Sequence, residues 1–127
     1  MKLHHIGFVV KNIEAFAGNM MLREMVSEAE DPEQKARLAL YSGHSDAFIE
    51  LIQPMCDESF TWNFLQKNGE GFHHLCYEAT LDEIMKYSVE KKLVKVLGPV
   101  PAVLFGNRDV MFYVDRNRMV VEFLILR

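Results

Sequence analysis

Residues 68–75 read Asn68-Gly69-Glu70-Gly71-Phe72-His73-His74-Leu75, and the last three repeat the His4-His5-Ile6 near the start of the same 127-residue chain. The Asn/Gly cluster is a break, and residues 72–79 beyond it carry the aromatic and apolar side chains of a strand. The beginning of the chain reads the same way. Over residues 3–10, His5, Gly7 and Val9 fall on one face and His4, Ile6, Phe8 and Val10 on the other, the period of two that a strand imposes. A second echo follows each of these strands. Ile49-Glu50-Leu51 returns as Val121-Glu122-Phe123, so a glutamate trails the histidine by 45 residues in the first copy and by 48 in the second. Two copies of one unit can pair about a pseudo-twofold axis and bring equivalent positions together, which places the expected site between them.

The order of elements supports the duplication. Behind Asn12, a plausible N-cap, the spacing Ile13, Phe16, Ala17, Met20, Met21 is the stripe of an amphipathic helix. Residues 28–34 are polar and contain the turn signal Asp31-Pro32; residues 36–41 and 47–53 read as two strands joined through Ser42-Gly43-His44-Ser45. Pro54 ends the second of these, and residues 59–67 read as a short helix. In the second half, the strand at 72–79 leads to a helix at about 81–92 carrying Ile84, Met85 and Val89, with Asp82 and Glu83 complementing the dipole of its first turn. After the connection Gly98-Pro99-Val100-Pro101 come strands at 109–115 and 119–126, joined at Asp115-Arg116-Asn117-Arg118. The same order of elements recurs in the two halves, in an α+β fold. The expected organisation is a single domain over 1–127, with module one at about 1–55, a linker helix at about 56–70 and module two at about 71–127.

Composition removes several classes of function. Fourteen Lys and Arg against 18 Asp and Glu leave a net charge of −4 and a pI near 5.7, with no surplus cation to neutralise phosphates, so nucleic acid is not an expected partner. No apolar run approaches the roughly 20 residues that cross a bilayer. The N-terminal apolar stretch, Ile6 to Val10, is too short for a signal peptide and lacks its cleavage site, which makes a cytoplasmic location the expectation. Cys56 and Cys76 are too few for a disulfide framework and are expected as reduced thiols.

His5, Glu50, His74 and Glu122 each lie inside a strand, and the carboxylates are flanked by apolar neighbours that would face the core. A carboxylate in an apolar strand is costly to bury without compensation. Two imidazoles and two carboxylates on one point form an N2O2 set suited to a divalent metal. By strand parity His4 and His73 fall on the opposite face and are expected to play no part; His44 sits in a turn, Glu78 needs no metal, and Cys76 shares the face of His74 as a space-filler.

These residues resemble the vicinal oxygen chelate superfamily, the glyoxalase, bleomycin-resistance and dioxygenase group, and within it the methylmalonyl-CoA epimerase-like proteins. The resemblance runs through His5-Ile6-Gly7, Asp31-Pro32-Glu33-Gln34, Ile49-Glu50-Leu51-Ile52-Gln53-Pro54, the stretch ending at His74, Gly106-Asn107-Arg108, and Val121-Glu122-Phe123. It implies two βαβββ modules forming a U-shaped, mostly antiparallel eight-stranded sheet around a metal site. It also implies His5, Glu50, His74 and Glu122 as ligands of one divalent ion (Co, Ni, Zn, Mn or Mg), a small-molecule substrate of the acyl-CoA kind, such as methylmalonyl-CoA, and a homodimer. The implied activity is that of an isomerase or epimerase moving a proton next to a carbonyl, with Glu122 or Glu50 as the proton-carrying group. The epimerases imply a second catalytic carboxylate where Arg37 and Leu38 stand, and no acid is there; Glu78, Cys76 or a metal-bound Glu would have to substitute. A glyoxalase I-like lyase implies the same ligand set, but Asp115-Arg116-Asn117-Arg118 stands in place of its usual Asp-Pro-Asp-Gly turn. A non-catalytic binding protein of the bleomycin-resistance type is the other alternative, and the extra Glu50 departs from the two-His, one-Glu iron site of extradiol dioxygenases.

Overall fold

β1 (Lys2–Val9) buries His5, Gly7 and Val9 and leaves the residues between them half-exposed, the alternation read from the sequence. A computed structural model describing residues 1–126 places this strand near the middle of one eight-stranded sheet. Asn12 caps α1 (Ile13–Ala17) by accepting a 2.8 Å hydrogen bond from the Ala15 N–H. The helix stops sooner than its apolar stripe: the Gly18 N–H closes on the Glu14 carbonyl, Met20 still packs beside Ile13, and Met21 is exposed. There follow β2 (Met25–Asp31), β3 (Ala36–Ser42), β4 (Phe48–Pro54) and α2 (Trp62–Asn68). The second half repeats the order with β5 (Gly71–Ala79), α3 (Leu81–Glu90), β6 (Val94–Ala102), β7 (Arg108–Val114) and β8 (Val120–Ile125). Thr80 and Glu83 close a reciprocal capping box on α3, which ends at Glu90 rather than at residue 92.

Two strands run through segments that the sequence marks as a polar turn region and a proline-rich connection. β2 takes up residues 28–31 and β6 takes up Gly98-Pro99-Val100-Pro101. Both are edge strands, since the sheet order is β2-β3-β4-β1-β5-β8-β7-β6. An edge strand has one ladder partner and tolerates prolines and solvated polar residues that a central strand rejects; that tolerance removes the alternation by which a strand is recognised. The Asp31-Pro32 turn is where expected, with Asp31 Oδ1 accepting from the Glu33 and Gln34 N–H groups.

β1 pairs parallel with β4 and β5 parallel with β8; the other neighbours are antiparallel. The sheet curls. One face carries Leu51, Ala39, Phe123 and Met111 against α1 and α3. The opposite face carries Val9, Leu38, Ile52, Cys76, Phe112 and Leu124, and is covered by Leu65 of α2, Phe60 and a 3-10 turn at Val103–Phe105. Among the described residues no helix is long and apolar enough to cross a membrane.

Candidate metal centre

The four central strands stand in the order β4, β1, β5, β8, and each contributes one polar side chain to the same face: Glu50, His5, His74 and Glu122. All four are buried, none more than 3% exposed. Their donor atoms converge. His5 Nε2 lies 3.2 Å from His74 Nε2 and 3.0 Å from Glu122 Oε1; His74 Nε2 lies 2.9 Å from the same oxygen. Glu50 Oε1 is 3.4 Å from His5 Nε2 and 3.5 Å from His74 Nε2. The fold is the reason: each half sets its histidine strand parallel to its glutamate strand, and the antiparallel β1–β5 seam joins the halves with Gly7 opposite His74 and His5 opposite Cys76.

Burial by itself pushes the Glu50 and Glu122 carboxyls up, but the facing imidazoles outweigh it and hold both below the usual carboxylate range. Burial likewise opposes charge on His5 and His74, and the two carboxylates overcome it and raise both imidazoles. Two carboxylates thus sit buried with histidines as their only close counter-charges among the described residues. A divalent cation is the group this arrangement suits. Four ligand atoms about 2.1 Å from an ion are about 3.0 Å apart at right angles and about 3.4 Å apart in a tetrahedron, and the separations that involve an imidazole run from 2.9 to 3.5 Å. All four groups can donate to one point.

The other residues singled out in the sequence divide. Cys76 is buried beside the cluster, its thiol pushed up to about 12 by burial and the Glu122 charge. Glu78 is tied to Arg108 at 3.1 Å, outside the cluster. Leu38 is buried on the face of β3 that continues the His/Glu face of the sheet, beside Val9, Ile52 and Leu65, so that place holds no carboxylate. His4 and His73 depart from the parity expectation. Each sits at an irregularity in the β1–β5 register, and each points its Nδ1 at the Nδ1 of the next residue, at 2.8 Å in both halves. Sequence reasoning also missed Gly7, which makes room for the His74 ring, and Phe105, stacked on His5 with ring centroids 5.3 Å apart. The doubling of histidine in both copies was the one signal for His4 and His73. A separate cleft of about 510 Å3, lined by Tyr77, Tyr87, Leu93, Val121 and Phe123 among others, opens on the helix-covered face and shares no residue with the cluster.

Comparison with known proteins agrees with this architecture. The uncharacterized protein YqjC of Bacillus subtilis is 32% identical over 126 residues, which cover 95% of this chain and 89% of that protein. Human mitochondrial methylmalonyl-CoA epimerase is 27% identical over 115 residues, covering 87% of this chain and 65% of the human protein's length. The crystal structure of methylmalonyl-CoA epimerase from Mycobacterium tuberculosis superposes with a TM-score of 0.81 at 23% identity, covering 99% of this chain and 88% of that one. The Glyoxalase/Bleomycin resistance protein/Dioxygenase superfamily model matches residues 4–112, and the chain belongs to that superfamily.

Proposed function

We propose that the chain is a metal-dependent isomerase that moves a proton on the carbon next to a carbonyl, with an acyl-CoA thioester of the methylmalonyl type as substrate. The observation that carries this reading is the convergence of two buried carboxylates and two buried imidazoles on one point. His5, Glu50, His74 and Glu122 would hold the ion. When bound, a divalent ion supplies Lewis-acid stabilisation of the charge that gathers on a carbonyl oxygen as the neighbouring C–H bond breaks, worth several kcal/mol.

The chain's own residues supply the proton chemistry. Glu122 is the group that accepts the proton: its Oε1 lies within the cluster, 3.0 Å from His5 Nε2 and 2.9 Å from His74 Nε2, and Glu50 across the site is the alternative. Phe105 stacks on His5 and Phe112 meets the His74 ring edge-on, an apolar cover that strengthens the charge interactions beneath it. Leu38 is apolar and buried where a second carboxylate would stand, so inversion at the α-carbon would fall to Glu122 and Glu50 between them, one taking the proton from one face and the other returning a proton to the opposite face. A homodimer belongs to the same proposal, supported by exposed apolar side chains on both edge strands, Met25 and Val26 on β2 and Val94 and Val96 on β6.

The test is solvent-deuterium incorporation at the α-carbon of methylmalonyl-CoA, catalysed by protein loaded with cobalt or zinc. Wild type is expected to exchange the proton, and Glu122→Gln that still holds metal is expected to lose at least about 100-fold. A metal-loaded wild type that exchanges no α-proton in methylmalonyl-CoA or related 2-substituted acyl thioesters would replace the isomerase with a sequestering protein of the same fold.

A further inference from the structure

His4 and His73 stand in equivalent places in the two halves, and both meet the following histidine in the same way. The Nδ1 to Nδ1 distance is 2.8 Å in each pair, and the rings are nearly perpendicular, at 79° for His4 and His5 and 89° for His73 and His74. The contact depends on local backbone irregularity. In an unbroken strand consecutive side chains point to opposite faces, but the β1–β5 register shifts between Leu3 and His5 and again between Gly7 and Phe8, where the partner side of the ladder passes from His74 to Phe72. His4 and His73 are the residues skipped, and a bulge re-aims the side chain it carries. Aromatic edges then hold them: Phe48 and Phe105 around His4, Phe60 and Phe64 around His73. Neither ring has another side-chain hydrogen-bond partner among the described residues.

A hydrogen bond between two imidazole nitrogens needs one N–H and one bare lone pair. A neutral histidine that offers Nε2 to a cation carries its proton on Nδ1. The geometry therefore points to His4 and His73 as positioning residues that accept the Nδ1–H of His5 and His74 and so fix the tautomer and ring orientation in which both Nε2 lone pairs face the metal centre. This inference rests on the metal reading of the cluster. The partner that orients a metal-binding histidine is commonly a carboxylate, a carbonyl or a water; here a second imidazole fills that place twice.

The test uses the whole protein with zinc as probe. Long-range nitrogen–proton NMR of the imidazoles in zinc-loaded wild type is expected to show His5 and His74 protonated on Nδ1, and His4 and His73 protonated on Nε2 with Nδ1 bare. Zinc affinity, measured by competition with a chelator, is expected to fall about 10- to 100-fold in His4→Phe and His73→Phe. It is expected to recover to within about threefold in His4→Asn and His73→Asn, whose side-chain oxygen can occupy the place of the Nδ1 acceptor. Asn variants as weak as the Phe variants, or His5 and His74 protonated on Nε2, would overturn the positioning role while leaving the metal centre intact. A wild type that binds no zinc would overturn both together, and the NMR pattern distinguishes a positioning role even if the Phe variants fold poorly.

Discussion

Gly7 and His74 face one another across the β1–β5 seam so closely that a Cβ on Gly7 would overlap the imidazole, with Nδ1 2.6 Å and Nε2 2.7 Å away. The equivalent position in the second copy, two residues past its histidine, is Cys76, which faces His5. The duplicated site thus admits a side chain on one side of its axis and not on the other. Gly7→Ala is expected to tilt His74 out of the cluster and weaken zinc binding at least about 10-fold, read by chelator competition alongside circular dichroism to confirm the fold. Unchanged affinity would show that His74 is not held by this contact.

Acid should reveal His73 in the metal-free protein. Burial first, and the neighbouring His74 second, lower its pKa to about 3 from the ordinary 6.5. As pH falls below 6.5 the unfolded chain takes up a proton there and the folded chain does not, so stability is lost with falling pH. Between pH 7 and pH 5 the loss from this one group is about 2 kcal/mol. His73→Asn removes the titrating ring, and its urea midpoints in the presence of a chelator are expected to fall less than those of wild type by that amount. Parallel pH profiles would contradict the buried neutral state of His73.

Glu50 and Glu122 were legible in the sequence because a carboxylate between apolar neighbours demands an explanation, and its recurrence behind a second His-His pair supplied one. The central strands were legible for a related reason: buried on both faces, they show their apolar residues plainly. β2 and β6 were not, since their polar and proline residues are the ones an edge permits. His4 and His73 were assigned to the far face by alternation alone, and alternation fails at a bulge, which depends on pairing between residues some 70 positions apart and leaves no local signature.

The proposed homodimer draws its support from the apolar edge strands. Light scattering across a range of concentrations is expected to give twice the chain mass of 14.7 kDa. Charged substitutions at Val94 and Val96 on β6, or at Met25 and Val26 on β2, are expected to shift the species toward that single mass, and the edge that responds is the interface. A mass near 14.7 kDa at every concentration would mean that the chain completes its site alone.

The most direct measurement is the metal content of the purified, dialysed protein after loading with zinc or cobalt. With His5, Glu50, His74 and Glu122 meeting at one buried point, about one ion per chain is expected for wild type. Less than about a tenth of that is expected for the His5→Ala/His74→Ala pair, in which two of the four donors are gone. Wild type that retains no metal, or a double variant that retains as much as wild type, would contradict the assignment of these four residues as a metal centre.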